Sequence, residues 1–190
     1  MIDYRNVDPR LGTMADFDAM AAAAHEAGIK VIVDIVPNHT SNKHKMFIEA
    51  LAAGRGSAAR DRYIFRDGKG PNGDEPPTNW QNHFGGPAWT RVPDGQWYLH
   101  MFTKEQPDWN WKNEDVRADF IKTLRFWLDH GADGFRVDVA HGLAKDLDRD
   151  DLDDYVVWCT NDQPEDGSHP VIDRDEAVSY THLRAHETLS

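Results

Sequence analysis

The feature that most restricts the fold of this chain is an amphipathic helix that leads into a short apolar strand, because this pattern occurs twice. In the first copy, Thr13 is followed three residues later by Asp16, which predicts a capping box at the start of a helix. Gly28 is predicted to end that helix, since glycine readily takes the left-handed conformation found at helix ends. Residues 29–36 (IKVIVDIV) are almost wholly apolar and mostly β-branched, which is typical of a strand covered on both faces in a parallel sheet.

The second copy begins at Asn113, which is predicted to cap a helix whose first turn carries two acidic residues. Gly131 is predicted to end this helix, and residues 134–139 (GFRVDV) form the strand that follows. Helices that alternate with buried strands indicate an α/β fold with a parallel sheet.

Between the two copies, residues 41–111 follow neither the helical nor the strand period, apart from a short helix predicted near residues 45–53. An irregular segment of this length is usually functional or a subdomain of its own. Its aromatic side chains could pack a small core or stack on sugar rings, and core packing is the more common role of large aromatics. These aromatic residues are Trp80, Phe84, Trp89, Trp97, Tyr98, Trp109 and Trp111.

Three short clusters carry the polar residues that could do chemistry: DIVPNHT at 34–40, QPDWNW at 106–111 and GFRVDVAH at 134–141. The first and third lie at the carboxyl ends of the two predicted strands, where barrel enzymes place their active sites. In a strand, Arg136 and Asp138 project to the same face because side chains alternate with a period of two. An arginine beside a carboxylate keeps it ionised, which is the state that a nucleophile needs.

Taken singly, these residues have ordinary structural interpretations. An aspartate at a strand end is more often a turn or cap residue than a nucleophile, and His39 alone is more often a hydrogen-bonded structural histidine than a ligand. His39, His44, His83 and His141 show no recognisable metal-ligand spacing, so no metal site is predicted.

The order and spacing of the three clusters, with a tryptophan-rich insertion between the first two, resemble the α-amylase family of glycoside hydrolases. The resemblance is to its α-glucosidase and oligo-1,6-glucosidase branch, and it runs from residue 2 to about residue 175. It implies part of a (β/α)8 barrel around strands 3 and 4, with an irregular subdomain inserted after strand 3. The implied division is residues 1–40 and 112–176 for the barrel, 41–111 for the inserted subdomain, and 177–190 as a non-native tail.

The resemblance also implies roles at the site. Asp138 would be the nucleophile, Arg136 would orient it, and His39 would contact the hydroxyls of the glucose at the cleavage point. Asp34 and Asn38 match positions that brace the loops. The Asn38 position helps to hold calcium in some relatives, but glucosidases of this branch commonly lack that ion, so no cofactor is expected and calcium stays open.

The implied activity is retaining hydrolysis of α-1,4- or α-1,6-linked glucosyl oligosaccharides, in which one carboxylate attacks and a second carboxyl group acts as the acid. The family carries that acid on its fifth strand, and Glu176 follows the 134–139 strand too closely to match it. We therefore expect the chain to be an incomplete, inactive fragment. A sibling glucosyl-transferring or isomerising enzyme, such as a trehalose synthase or sucrose isomerase, and a non-catalytic barrel relative remain alternatives.

Composition restricts the possible partners. A net charge of −12 opposes binding to nucleic acid and to anionic membranes. The sequence contains no run of about 18 apolar residues, so no membrane span is predicted. Its first residues do not form an apolar leader, so no export signal is expected. Cys159 is the sole cysteine, which fits a reducing compartment, so a cytoplasmic location is expected.

Overall fold

The computed structural model describes residues 1–154, 169–172 and 174–177. Cys159 and residues 178–190 of the expected tail lie outside the described residues. The helices and strands in chain order are α1 (Met14–Glu26), β1 (Ile32–Ile35), α2 (Lys45–Ala53), β2 (Phe65–Asp67), β3 (Trp89–Arg91), β4 (Gln96–Leu99), α3 (Glu114–Asp129) and β5 (Gly134–Val137).

The two copies of the sequence pattern lie side by side. Strands β1 and β5 pair in parallel, with Ile32 opposite Gly134 and Asp34 opposite Arg136. Helix α1 leads into β1 and helix α3 leads into β5, so the unit has the helix–strand alternation that the sequence predicts. Because the strands are parallel, their carboxyl ends meet at one edge, and this brings the residues that follow them together.

Helix α1 begins and ends as its sequence predicts. The side chain of Thr13 accepts from the backbone N–H of Asp16, and the Asp16 carboxylate accepts from the backbone N–H of Thr13, which completes the capping box. Gly28 follows the helix with a φ of 73°, in the left-handed region where glycine carries no steric cost.

Helix α3 is capped by Asn113, whose side chain accepts from the N–H of Asp115. Its buried face, made of Val116, Phe120, Thr123 and Trp127, turns towards the core. Trp127 also meets Phe17 of α1 edge-to-face, with ring centroids 4.9 Å apart. The two helices therefore pack on each other beside the parallel strands.

Both strands are shorter than the sequence predicts, and β1 is less covered. The run at 29–36 is a strand only over Ile32–Ile35, and Ile32 is 58% exposed, so the expectation of two covered faces does not hold in the described residues. The 134–139 strand ends at Val137. Asp138 still donates its N–H to Ile35 O at 2.8 Å, but Val139 takes a left-handed conformation that turns the chain away.

Residues 41–111 contain more regular structure than their composition suggests. Helix α2 occupies the predicted position, and β2, β4 and β3 form an antiparallel sheet in that order. Of the aromatic residues expected in a core, Trp80, Trp89, Tyr98, Trp109 and Trp111 are buried. Phe84 is an exception at 71% exposed, because it lies in a turn that presents its ring to solvent.

No helix among the described residues is long and apolar enough to cross a membrane.

Candidate active site

The candidate site is centred on Arg136, at the shared carboxyl edge of β1 and β5. Its guanidinium group donates through one terminal nitrogen to Asp34 on the neighbouring strand, and through the other to Asp138 Oδ1 at 2.9 Å. The strand register explains this bridge, since Asp34 lies opposite Arg136 and Asp138 is two residues further along the same face. The hydrogen bond to Asp34 raises the pKa of the arginine, and the charges of both carboxylates add to that effect.

The bridge fixes the direction of the Asp138 carboxylate and leaves part of it accessible. Oδ1 faces the arginine, while the side chain is 42% exposed. A planar guanidinium group held by two carboxylates has little freedom to rotate, so it restricts both of them. Asp138 is therefore an oriented, partly exposed carboxylate beside a permanent positive charge.

The segment that follows β1 turns inwards and buries Asn38, His39 and Thr40. His39 forms an isolated antiparallel bridge with Asp108, so the structure brings the 34–40 and 106–111 clusters together. The backbone N–H of Trp109 donates to Asn38 O at 3.0 Å and continues this pairing.

His39 is 7% exposed and packs against Phe102, with ring centroids 4.8 Å apart. Burial lowers the pKa of His39, and the nearby charges of Asp108 and Asp138 oppose this only in part. Neutral imidazole is thus the favoured form in this environment.

Lys145 is a site residue that sequence reasoning missed. Its side chain is 3% exposed, and its ammonium group donates to Asn38 Oδ1 at 2.9 Å and to Gly142 O at 2.5 Å. It also lies 3.3 Å from Oδ2 of Asp108, which is fully buried. Burial lowers the pKa of Lys145, while the Asp108 carboxylate opposes that shift. No periodic pattern marks this lysine; the one available signal is that it directly follows the apolar pair Leu143-Ala144.

The contact between Lys145 and Asn38 affects whether Asn38 could bind a metal ion. The amide oxygen of Asn38, at the position expected to help hold calcium in some relatives, here accepts from the Lys145 ammonium group. Among residues 1–154, 169–172 and 174–177, no group of three or more His, Cys, Asp and Glu side chains is placed to hold a metal ion. In this arrangement Lys145 supplies a positive charge to Asn38 and Asp108.

Directly after Asp138, Val139 has φ 56° and ψ 31°. A β-branched residue in the left-handed region is strained, and such strain persists only where surrounding contacts fix the backbone. Here the N–H of Gly142 donates to Val139 O at 3.1 Å, and Gly142 is close enough to Asn38 that a Cβ would lie 3.1 Å from its Oδ1. Lys145 binds both Gly142 and Asn38, so it holds the turn in place.

The strain at Val139 predicts that glycine is more stable than alanine at this position, the reverse of the order expected in a strand. We expect Val139→Gly to be more stable than Val139→Ala by about 1 kcal/mol, because glycine has no Cβ to clash in the left-handed region. Urea unfolding of the two variants measures the difference. The control pair is Val137→Gly and Val137→Ala in β5, where alanine should be the more stable variant. The same order at both positions would contradict a strained Val139.

A cavity of about 740 Å³ adjoins this site at Lys145. It is lined by residues from three segments, 56–66, 109–112 and 143–148, and by Gln96. None of the five site residues expected from the sequence lines it, although Lys145 does. The oriented carboxylate and its arginine are the groups with defined chemistry, so we place the candidate site at the strand ends and not in this cavity.

The family model described as "Alpha amylase, catalytic domain" matches residues 1–182, which is most of the chain. The chain belongs to the α-amylase family. This confirms the family resemblance drawn from its three clusters.

Relatives within the family support the glucosidase branch. This α-amylase-family chain is 46% identical over 144 residues to the oligo-1,6-glucosidase of Parageobacillus thermoglucosidasius, a match that covers 75% of the chain and 25% of the relative. The crystal structure of Bacillus licheniformis trehalose-6-phosphate hydrolase superposes with a TM-score of 0.78 at 40% identity, and the match covers 95% of the chain and 30% of that structure. The trehalulose synthase of Pseudomonas mesoacidophila gives a TM-score of 0.71 at 40% identity, covering 77% and 26%.

The chain thus spans about a quarter of the length of the curated relatives that it matches. Its parallel strands and helices are part of the barrel fold of the family, and in the described residues the sheet is not closed. By their names, two of these relatives are a glucosidase and a hydrolase, and the third is a synthase.

Proposed function

We propose that this chain supplies the nucleophile of a retaining glycosidase that acts on α-linked glucosides. The observation that carries the proposal is the bridge from Arg136 to both Asp34 and Asp138 at the carboxyl edge of the parallel strands. In the proposed reaction, a carboxylate oxygen of Asp138 bonds to the anomeric carbon of the glucosyl group as the bond to the leaving oxygen breaks. Arg136 holds this carboxylate beside a positive charge and aims it at the sugar.

The leaving oxygen takes its proton from a second carboxyl group, which the family resemblance assigns to the fifth barrel strand. Water then attacks the glucosyl ester, gives up its proton to the same second group, and releases both glucose and the Asp138 carboxylate. His39 would contact the glucose hydroxyls, while Asp34 and Asn38 would brace the nucleophile and the loop after β1. For Asn38, its contacts with Lys145 and Asp108 support a bracing role.

The proposed substrates are α-1,4- or α-1,6-linked glucosyl oligosaccharides. The names of the curated relatives favour the α-1,6 linkage, since oligo-1,6-glucosidases match over three quarters of the chain. The likeness to a trehalulose synthase supports a second candidate, an enzyme that moves the glucosyl group to a new hydroxyl instead of to water. The two candidates share the glucosyl ester and differ in what attacks it.

The proposed domain arrangement follows the same resemblance. Strands β1 and β5 would be the third and fourth barrel strands, with residues 1–40 and 112–176 forming barrel parts. Residues 41–111 would be the inserted subdomain, and their separate antiparallel sheet supports that assignment. Residues 177–190 would be a non-native tail.

The proposal can be tested in a hybrid enzyme. In this hybrid, the aligned segment of the Parageobacillus thermoglucosidasius oligo-1,6-glucosidase is replaced by the matching residues of this chain. We expect the hybrid to release glucose from isomaltose, an α-1,6-linked disaccharide. Product analysis by chromatography separates hydrolysis, which yields glucose alone, from isomerisation, which yields a new disaccharide. A folded hybrid that yields neither product would contradict the proposal.

Arg136→Lys should lower turnover of the hybrid by about 10²-fold, because an ammonium group lacks the rigid planar fork that aims two separate nitrogens at the two carboxylates, so Asp138 loses its fixed direction. Steady-state kinetics on isomaltose measure the effect. Arg10→Lys is the matched control, since Arg10 forms an exposed pair with Asp8 and its replacement should leave turnover unchanged. Equal activity of the two variants would show that Arg136 does not orient Asp138.

A further inference from the structure

Both ring nitrogens of His39 face amide donors. Gln106 Nε2 lies 2.9 Å from His39 Nε2, and Asn38 Nδ2 lies 3.2 Å from His39 Nδ1. A neutral imidazole has one N–H and one acceptor nitrogen, so it can accept from only one of these two amides. Protonated imidazole has two N–H groups and could accept from neither. The tautomer of His39 is therefore decided by which amide is the better donor.

The amide of Gln106 has a defined orientation. Its Oε1 accepts from both the backbone N–H and the hydroxyl of Thr103, at 3.2 Å and 3.1 Å. Turning the amide over would place its NH2 group against the Thr103 N–H, which is a contact between two donors. The NH2 group of Gln106 is thus the group that faces His39.

The amide of Asn38 is also oriented, but its NH2 group has a second acceptor besides His39. Its Oδ1 accepts from Lys145, and its Nδ2 donates to Asp108 Oδ1 at 3.2 Å. The Asn38 contact with His39 is the longer of the two, so a donor–donor contact costs less there than at the 2.9 Å contact with Gln106.

We infer that Gln106 is a positioning residue that holds His39 as the neutral tautomer with its proton on Nδ1. In this tautomer Nε2 is an acceptor. The consequence for the site rests on the proposed function: Nε2 has one lone pair and the Gln106 amide occupies it, so a glucose hydroxyl binds Nε2 only by displacing that amide.

The tautomer can be read directly in the 190-residue chain by long-range ¹H–¹⁵N correlation spectra of the histidine rings near pH 7. We expect His39 to show a protonated Nδ1 and an unprotonated Nε2. In Gln106→Glu the carboxylate accepts and cannot donate, so the proton should move to Nε2 of His39. In Gln106→Met the donor is removed, and the Asn38 contact should also favour the proton on Nε2.

Two other histidines serve as internal controls. His100 Nδ1 faces the Phe102 carbonyl, which can only accept, so the proton lies on Nδ1 and Nε2 accepts from the Thr90 hydroxyl. His44 Nδ1 accepts from the Met46 N–H, which fixes its proton on Nε2. Both should keep these states in the Gln106 variants.

A His39 proton on Nε2 in the unchanged chain, or no switch in Gln106→Glu, would overturn the inference. Loss of the expected states of His44 and His100 in the unchanged chain would also overturn it, because the tautomers would then not follow from the hydrogen-bond contacts from which all three are assigned. These spectra need no catalysis. If His39 has the other tautomer, the assignment of Asp138 as the nucleophile is unaffected. If the hybrid enzyme is inactive, the tautomer assignment of His39 is unaffected.

Discussion

Asp138→Asn is expected to lower turnover of the hybrid enzyme on isomaltose by about 10⁶-fold, the scale on which loss of a nucleophile acts in other enzymes. The substitution keeps the shape of the side chain and removes the anionic oxygen that would bond to the anomeric carbon. Binding of glucose should persist, because the rest of the site is unchanged. Steady-state kinetics give the turnover, and glucose inhibition gives the binding.

Asp67→Asn is the control for this prediction. Asp67 is an exposed aspartate at the end of β2 whose side chain pairs with Arg55, away from the strand edge that carries Asp138. Its replacement should leave turnover within about twofold, as expected for a surface change. An Asp138→Asn hybrid that retains a tenth or more of the activity would mean that another group forms the bond to the sugar.

Lys145→Met is expected to lower the free energy of unfolding of the 190-residue chain by about 3–5 kcal/mol. Methionine has nearly the same length and packs well, but it removes the positive charge beside Asp108. The Asp108 carboxylate, which is fully buried, would then lack its charged partner. Urea unfolding followed by tryptophan fluorescence measures the loss.

Two further variants separate charge from packing. Lys112→Met removes an exposed lysine that pairs with Asp148, and should cost less than about 1 kcal/mol. Adding Asp108→Asn to Lys145→Met should recover part of the loss, because the neutral side chain no longer needs a counter-charge. If Lys145→Met costs no more than Lys112→Met, the buried charge pair does not hold the turn after Asp138.

The helices and the positions of the two strands could be predicted because their signals are local. The Thr13–Asp16 capping box, the Asn113 cap and the glycines at the helix ends each act within a few residues of chain. The shared face of Arg136 and Asp138 follows from the strand period alone, and it led to the arginine–carboxylate contact that the structure contains.

The missed features depend on contacts that no sequence pattern marks. Lys145 is buried because Asp108, 37 positions earlier, supplies its counter-charge, whereas a lysine is exposed by default. The left-handed Val139 is held by the Gly142 and Lys145 contacts, so no property of valine predicts it. That conformation ends β5 at Val137, two residues before the apolar pattern ends.

The central claim is that Asp138 forms the covalent bond to glucose, and trapping tests it most directly. A fluorinated glucosyl substrate slows release of the glucosyl ester, so the intermediate accumulates and its peptide can be identified by mass spectrometry after digestion. In the hybrid enzyme we expect the added sugar on the carboxylate of Asp138, held two residues from Arg136 on the same strand face. A label on any other carboxylate would contradict the assignment.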